Sequence, residues 1–305
     1  MNNALVELGR ALKQADYHFT TVTPATHERV NRRPENALAR TPRDVFGWSR
    51  PFEASMLDPR LLELMTRARV VTVEGALLRS RVRFSSLRGE LYVHSAFPSA
   101  QTDSVFFGPD TYRFADLLGR TELNPGRLLD LGCGSGAGGL SLRRQMREIV
   151  LSDVSPGALQ YAEVNAALGE TSGSASVAFC QSDLLAAVTG DFDVIVANPP
   201  YLADVKGRIY RDGGGTLGTG LSHQMLKQAV QRLRPGGHFI LYTGAPIVEG
   251  RDLLRETLEP VLSAATGCYE YTELDPDVFG EELEEPTYSE VERIGIISLV
   301  VWRPS

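Results

Sequence analysis

LLDLGCGSGAGG, residues 128–139, is the stretch that decides the fold. An apolar run reaches Asp130 and passes into Gly132, Gly134 and Gly136, the pattern D-x-G-x-G-x-G. Glycine lets the chain turn tightly and lets a ligand approach the backbone with no Cβ in the way. A strand that ends in such a turn and feeds a helix is where open α/β sheets bind ligands, outside the carboxyl ends of their strands. No Lys-Ser/Thr follows at the spacing of a phosphate loop. Cys133, inside the turn, reads as a small residue that fits.

Outward from this turn the chain alternates. Gly138 to Arg147 suits a helix, EIVLSDV (148–154) a second strand, and Ser155 with Pro156 caps a helix over Gly157 to Leu168. SVAFCQSD, FDVIVANPP and HFILYTG are three more strands, the last two separated by a helix over Ser222 to Leu233 that Pro235-Gly236-Gly237 ends. YEYTELD and IGIISLVVWR close the chain with only an acidic loop between them, so they are expected as an antiparallel hairpin at one edge. Apolar strands alternating with helices give a mostly parallel sheet covered on both faces.

Residues 1–100 read differently. Val6, Leu8, Ala11, Leu12 and Tyr17 form one amphipathic pattern and Leu61, Leu62, Leu64 and Met65 another. Thr41-Pro42 reads as a helix cap with proline at the first helical position. ARVVTVEGALLRSRVRF and ELYVHSAF then form a hairpin with its turn at Arg88-Gly89. This spacing predicts a small α+β N-terminal domain over 1–100, serving as lid or substrate-recognition unit, before a second domain over 101–305.

Composition narrows the class. With 43% hydrophobic and 23% charged residues, the 305-residue chain is an ordinary globular protein. Cys133, Cys180 and Cys268 are odd in number and widely spaced, and the five histidines show no metal spacing, so no metal site is expected and a reduced, cytoplasmic setting is. No signal peptide and no apolar run of bilayer length is read, so no membrane is expected as a partner. Charge is uneven: residues 1–127 carry 18 Lys+Arg against 14 Asp+Glu, and residues 128–305 carry 13 against 24. The acidic second half would repel a polyanion, which counts against nucleic acid as a partner.

The strand ends carry the chemistry. Asp153 ends the second strand, where a carboxylate can accept both ribose hydroxyls of a nucleoside cofactor. Asp183, in QSD after the third strand, is placed to meet an adenine amino group. Asn198-Pro199-Pro200-Tyr201 is the sharpest signal. Two prolines remove two backbone donors and fix φ, making a rigid extended turn at the end of the fourth strand. The Asn198 side-chain carbonyl and the Pro199 main-chain carbonyl can then both accept from one NH2 group. Tyr201 can stack on a flat substrate.

From Ser104 to Ser305 the chain resembles the class I S-adenosylmethionine-dependent methyltransferases, specifically the HemK/PrmC-like branch that methylates glutamine amides. The resemblance rests on LLDLGCGSG, Asp153, the QSD turn and NPPY in that order. Pro109-Asp110-Thr111 resembles that branch's Pro-Glu-Thr, and Asp212-Gly213-Gly214-Gly215 its Asp-Gly-Gly segment. It implies a Rossmann-like methyltransferase fold, a mostly parallel seven-stranded sheet with an antiparallel edge hairpin. It also implies that Gly132, Gly134 and Gly136 cradle the methionine part of the cofactor with Thr111 nearby, Asp153 holds the ribose, Asp183 the adenine and Asn198 the acceptor nitrogen, with Asp130 also among the cofactor-binding residues. Asp110 and Tyr112 adjoin Thr111 and are expected in the pocket.

Two features depart from that branch. Residues 1–100 do not read as its helical bundle, and LDPDVFGEELEEPTYSEVER (274–293) has no counterpart in it. If this acidic loop covers the pocket, Glu281, Glu282 and Glu285 favour a cationic acceptor such as a guanidinium or an amine. The expected activity is N-methylation of a planar amide, guanidino or amino nitrogen on a small molecule or peptide. The alternatives are an adenine-type methyltransferase acting on RNA and a non-methylating enzyme that cyclises the cofactor or transfers its aminocarboxypropyl group.

Overall fold

Apolar side chains on successive strand positions point to opposite sides of one sheet, and both sides are covered. The computed structural model describes residues 2–98, 103–169, 175–204, 211–264 and 267–304. The chain opens with helices α1 (Asn2–Gln14), α2 (Pro24–Asn31), α3 (Pro42–Phe46) and α4 (Pro59–Arg67). Two hairpins follow, β1 (Val71–Glu74) with β2 (Leu77–Ser80) and β3 (Val82–Leu87) with β4 (Glu90–Ser95). The second hairpin turns at Arg88-Gly89 as the sequence indicates. The first does not follow the expectation of one long strand, because Gly75, at φ +65°, folds that run back on itself.

The remaining elements are α5 (Pro109–Arg120), β5 (Arg127–Leu131), α6 (Ala137–Ser141), β6 (Glu148–Asp153), α7 (Pro156–Leu168), β7 (Ser176–Gln181) and β8 (Phe192–Ala197). After them come α8 (Gly220–Ala229), β9 (Leu233–Val248), the short β10 (Arg251–Asp252), α9 (Leu253–Ala264), β11 (Cys268–Asp275) and β12 (Arg293–Trp302). The main path of the sheet runs β11-β12-β9-β8-β5-β6-β7, with β10 paired to β9. β7, β6, β5, β8 and β9 are mutually parallel, and β12 and β11 form the antiparallel edge. The Rossmann-like methyltransferase fold is the result.

Leu128, Ile149, Val194 and Ile240 face α5 and α7 through Phe114, Leu118, Leu159 and Ala162. Leu129, Val150, Ile195 and Leu241 face α8 and α9 through Leu226, Leu254 and Leu258. One of these helices gives a weak sequence signal. α9 carries Pro260 in its interior, where proline normally breaks a helix. Leu254, Leu258 and Leu262, four residues apart and all buried, hold it in place regardless. Conversely, the helix expected over Gly138 to Arg147 stops at Ser141.

The N-terminal elements share a third core. Leu5, Leu8 and Leu12 of α1, Phe46 of α3 and Met65 of α4 pack with Phe84, Leu91 and Val93, and with Val164 and Leu168 of α7. The Thr41 cap is present as a full capping box with Asp44. Buried Asn165 of α7 joins the two halves. Its Oδ1 accepts from Val93 N at 2.7 Å, and its Nδ2 donates to Val93 O at 2.9 Å and to Ser135 O at 2.8 Å. Among the described residues no helix is long and apolar enough to cross a membrane.

Three buried backbone groups therefore depend on one side chain. Asn165→Ala should lower unfolding free energy by about 2–4 kcal/mol, because the stranded Val93 and Ser135 groups meet no water. Urea denaturation should show a lower midpoint at an unchanged slope. An unaltered midpoint would mean that the N-terminal half is held by apolar contact alone.

Candidate active site

The turn after β5 is built on left-handed backbone at Gly132, Gly134 and Gly136, with φ of +74°, +53° and +75°. At Gly134 an added Cβ would find only Val105 Cγ1 at 3.8 Å, so backbone conformation alone demands glycine there. Two carboxylates hold the turn. Asp153, at the end of β6, accepts from Gly134 N and from Ser155 N, each at 2.9 Å. Asp130 accepts from Gly139 N at 2.7 Å, which ties the end of β5 to the first turn of α6. Burial raises the pKa of both, and Asp130 is pushed up to about 7 from 3.8, with Asp153 beside it adding to the rise.

A cavity of about 480 Å³ opens over this turn. Gly132, Gly134, Asp130, Asp153, Asp183 and Thr111 line it, and so do Asn198, Pro199, Pro200 and Tyr201. The strand-end residues singled out in the sequence are thus brought to one place. Thr111 Oγ1 also accepts from Gly108 N at 3.2 Å, which fixes the start of α5. No hydrogen bond to another described residue engages the Asn198 side chain. Pro24, Phe97 and Pro98 reach the cavity from the N-terminal half.

Other residues singled out in the sequence lie as follows. Gly136 does not line the cavity; its α-carbon is pressed against β6 and α7, where an added Cβ would stand 3.0 Å from Leu151 Cδ1. Tyr112 turns away as well, accepting from Thr21 N at 2.9 Å and packing edge-on against Phe107. Tyr201 is buried, and its hydroxyl donates to Asp110 Oδ2 at 2.9 Å. Of the acidic loop, Phe279 reaches the cavity and lies edge-on to Tyr201. Glu282 instead pairs with Arg211 at 2.5 Å, so its carboxylate is already neutralised. Glu281 lines a neighbouring hollow together with Arg29 and Arg113, and Glu285 lines neither space.

Sequence reasoning missed the support behind NPPY. Asp110 also accepts from Tyr242 OH at 2.9 Å, so one buried carboxylate joins α5, the NPPY turn and β9. Burial raises the pKa of Asp110, against the pull of the two tyrosine hydroxyls and Arg113. Two residues along β9, Gly244 leaves room for the tyrosine ring: a Cβ there would stand 2.2 Å from Tyr201 Cδ2. The available signal was register. Ala197 pairs with Leu241, which sets Tyr242 level with Asn198. The Asp212–Gly215 segment braces the turn from outside, with Gly213 N donating to Leu202 O at 2.8 Å and Leu202 N to Arg211 O at 3.1 Å. At Gly213 a Cβ would stand 2.8 Å from Pro200 O.

Residues 114–267 match the family "Methyltransferase small domain". The release factor glutamine methyltransferase of Borreliella burgdorferi is 36% identical over 126 residues, which is 38% of this chain and 43% of that protein. The ribosomal RNA small subunit methyltransferase C of Pasteurella multocida is 33% identical over 132 residues, 43% of this chain and 37% of that protein. The chain thus spans less than half the length of either curated relative. In fold it is similar to the crystal structure of Trm5b from Pyrococcus abyssi, with a TM-score of 0.53 and 15% identity over 77% of this chain and 62% of that one.

The raised pKa of Asp130 has a consequence for stability. The folded protein binds this proton more tightly than the unfolded chain, so stability is greatest below pH 4 for this group and declines up to about pH 7. The loss attributable to it should be on the order of 4 kcal/mol. Asp130→Asn keeps an acceptor for Gly139 and removes the titration. Urea melts between pH 4 and pH 8 should therefore converge on a flatter profile in the variant. Parallel profiles would show that Asp130 is ionised throughout.

Proposed function

The chain belongs to the methyltransferase small domain family, whose cofactor is S-adenosylmethionine, and we propose that it methylates the side-chain amide nitrogen of a glutamine-type residue in a peptide. The observation that carries this reading is the meeting of Asn198 and Pro199 with the glycine turn in one cavity. The cavity fits the cofactor. Gly134 has no Cβ to fill the cradle, Asp153 and Asp183 stand as acceptors for ribose and adenine, and exposed Val154 offers an apolar surface beside them. When bound, the cofactor supplies an electrophilic methyl group.

The protein's contribution is position. The Asn198 side-chain carbonyl and the Pro199 main-chain carbonyl accept both hydrogens of an NH2 group and turn its lone pair out of conjugation. Fixing a reactant in that way is worth several orders of magnitude in rate. Asp110, through Tyr201 and Tyr242, keeps the turn in register with β9. Pro24, Phe97 and Pro98 exclude water from one side, which is why we assign residues 1–100 the role of cover and substrate-recognition unit.

A neutral acceptor is preferred over a cationic one because Glu282 is paired with Arg211 and Glu285 lies off the cavity. A nucleobase in RNA is disfavoured by the excess of carboxylates beyond residue 127.

Asn198→Ala should leave affinity for S-adenosylhomocysteine within about twofold while lowering turnover by about 10²-fold or more. Asp153→Ala should weaken that affinity by about tenfold or more, since it also frees the Gly134 amide. The assay follows transfer of labelled methyl to glutamine-bearing peptides, arginine-bearing peptides and ribosomal RNA fragments. Transfer to RNA or arginine but not to glutamine would refute the acceptor assignment. An unimpaired Asn198→Ala enzyme would reduce NPPY to a structural turn.

A further inference from the structure

Beside the main cavity lies a recess of about 30 Å³, room for two or three water-sized groups. The two spaces share Pro24, Phe97, Ser104, Val105 and Phe106 in their walls. Arg83 of β3 lines the recess and is only 3% exposed. Its Nε donates to Gly47 O at 2.7 Å, whereas its buried Nη2 has no hydrogen-bond partner among the described residues. The other polar walls are engaged among themselves. His94 is hydrogen-bonded to Ser85 Oγ at 2.8 Å and to Ser95 O at 3.1 Å, and burial lowers its pKa well below the usual value, so it is neutral. The Thr21 and Ser85 hydroxyls bond to each other.

Arg83 is thus the charged side chain of the recess, and among the described residues no carboxylate lines it. A buried guanidinium without a counter-charge is costly, and burial lowers its pKa to about 10. With Nε committed to Gly47 O, the Nη1–Nη2 edge of its planar fork is left to match a carboxylate with two parallel hydrogen bonds.

We propose that this recess is a carboxylate-binding pocket, in which Arg83 receives a carboxylate group that enters from the main cavity. Two sources fit: the carboxylate of the cofactor's amino-acid part, or one borne by the acceptor. The pocket itself does not rest on the methyltransferase reading; only the source does.

Formate and its neutral isostere formamide separate the pocket from general solvent effects. In the full-length protein, formate should raise the melting temperature saturably and formamide should not. Arg83→Met should abolish the response, and Arg83→Lys, which lacks the fork, should weaken formate binding by about tenfold. Should Arg83→Met fail to fold, Ala96→Leu fills the recess without touching the charge and should block formate equally. Equal effects of formate and formamide on the wild type would overturn the proposal, as would an undiminished response in the variants. The source is read from calorimetry on Arg83→Lys. Selective loss of S-adenosylhomocysteine over 5′-methylthioadenosine, which lacks the carboxylate, assigns it to the cofactor. Unchanged affinity for both, with selective loss of a glutamine peptide ending in carboxylate over the same peptide ending in amide, assigns it to the acceptor. With the wild type binding both S-adenosylhomocysteine and the peptide, no selective loss in either pair would leave the pocket without a physiological ligand and overturn it. Failure of the wild type to bind S-adenosylhomocysteine would instead count against the proposed function, with the formate result unaffected.

Discussion

At the end of β5 the chain reverses through left-handed backbone, and Asp153 holds it there by accepting from the Gly134 amide at 2.9 Å. The rest of the site hangs on that bond. The turn must stay open toward the cavity, so the carboxylate that secures it comes from the neighbouring strand. This requires β5 and β6 to be parallel and in register, with Leu131 opposite Ser152. The same register lets Gly132 N and Cys133 N donate to Ser152 O at 2.8 and 2.9 Å. Two carboxylates are thereby drawn into a poorly solvated place, and both pKa values rise. The site spends stability to keep acceptors beside its cavity, a common feature of binding sites.

The far wall is fixed by a different device. NPPY leaves the sheet at the end of β8, and its prolines stiffen the turn without anchoring it. Anchoring comes from Asp110, which takes hydroxyl hydrogens from Tyr201 and Tyr242 and so ties the turn to β9. Gly244 and Gly213 lack the Cβ atoms that would push the turn away from its supports. Tyr201 is therefore a brace whose hydroxyl is committed while the residue also lines the cavity.

What was legible in the sequence follows from the range of the forces involved. Strand runs, the glycine turn, the Thr41 and Ser155 caps and the edge hairpin are set by neighbours close in sequence, and they could be read directly. α9 could not, because Pro260 is a local stop signal overruled by three distant apolar contacts. The outward turn of Tyr112 and the inward face of Tyr242 depend on partners about 90 or more positions away. Gly136 illustrates the limit well: its left-handed φ was implied by the motif, but whether it faced ligand or packing was not.

Charge shows most clearly why totals mislead at a site. Residues 128–305 carry 24 acidic against 13 basic side chains, which reads as a field for cations. Asp110, Asp130, Asp153 and Asp183 line the cavity, but several carboxylates outside it are already paired. Glu282 is paired with Arg211, Asp275 with Arg113 and Glu273 with Arg293. A buried cation lies on the other side, in the mildly basic half, where Arg83 stands over the Phe19 ring within a wall that holds no carboxylate among the described residues. Coulomb energy at close range inside protein far exceeds that of screened surface charges a Debye length away. A small ligand in the main cavity therefore meets the strand-end carboxylates and Arg211 of its own wall first, whereas the net charge of the chain acts on a polyanion at long range.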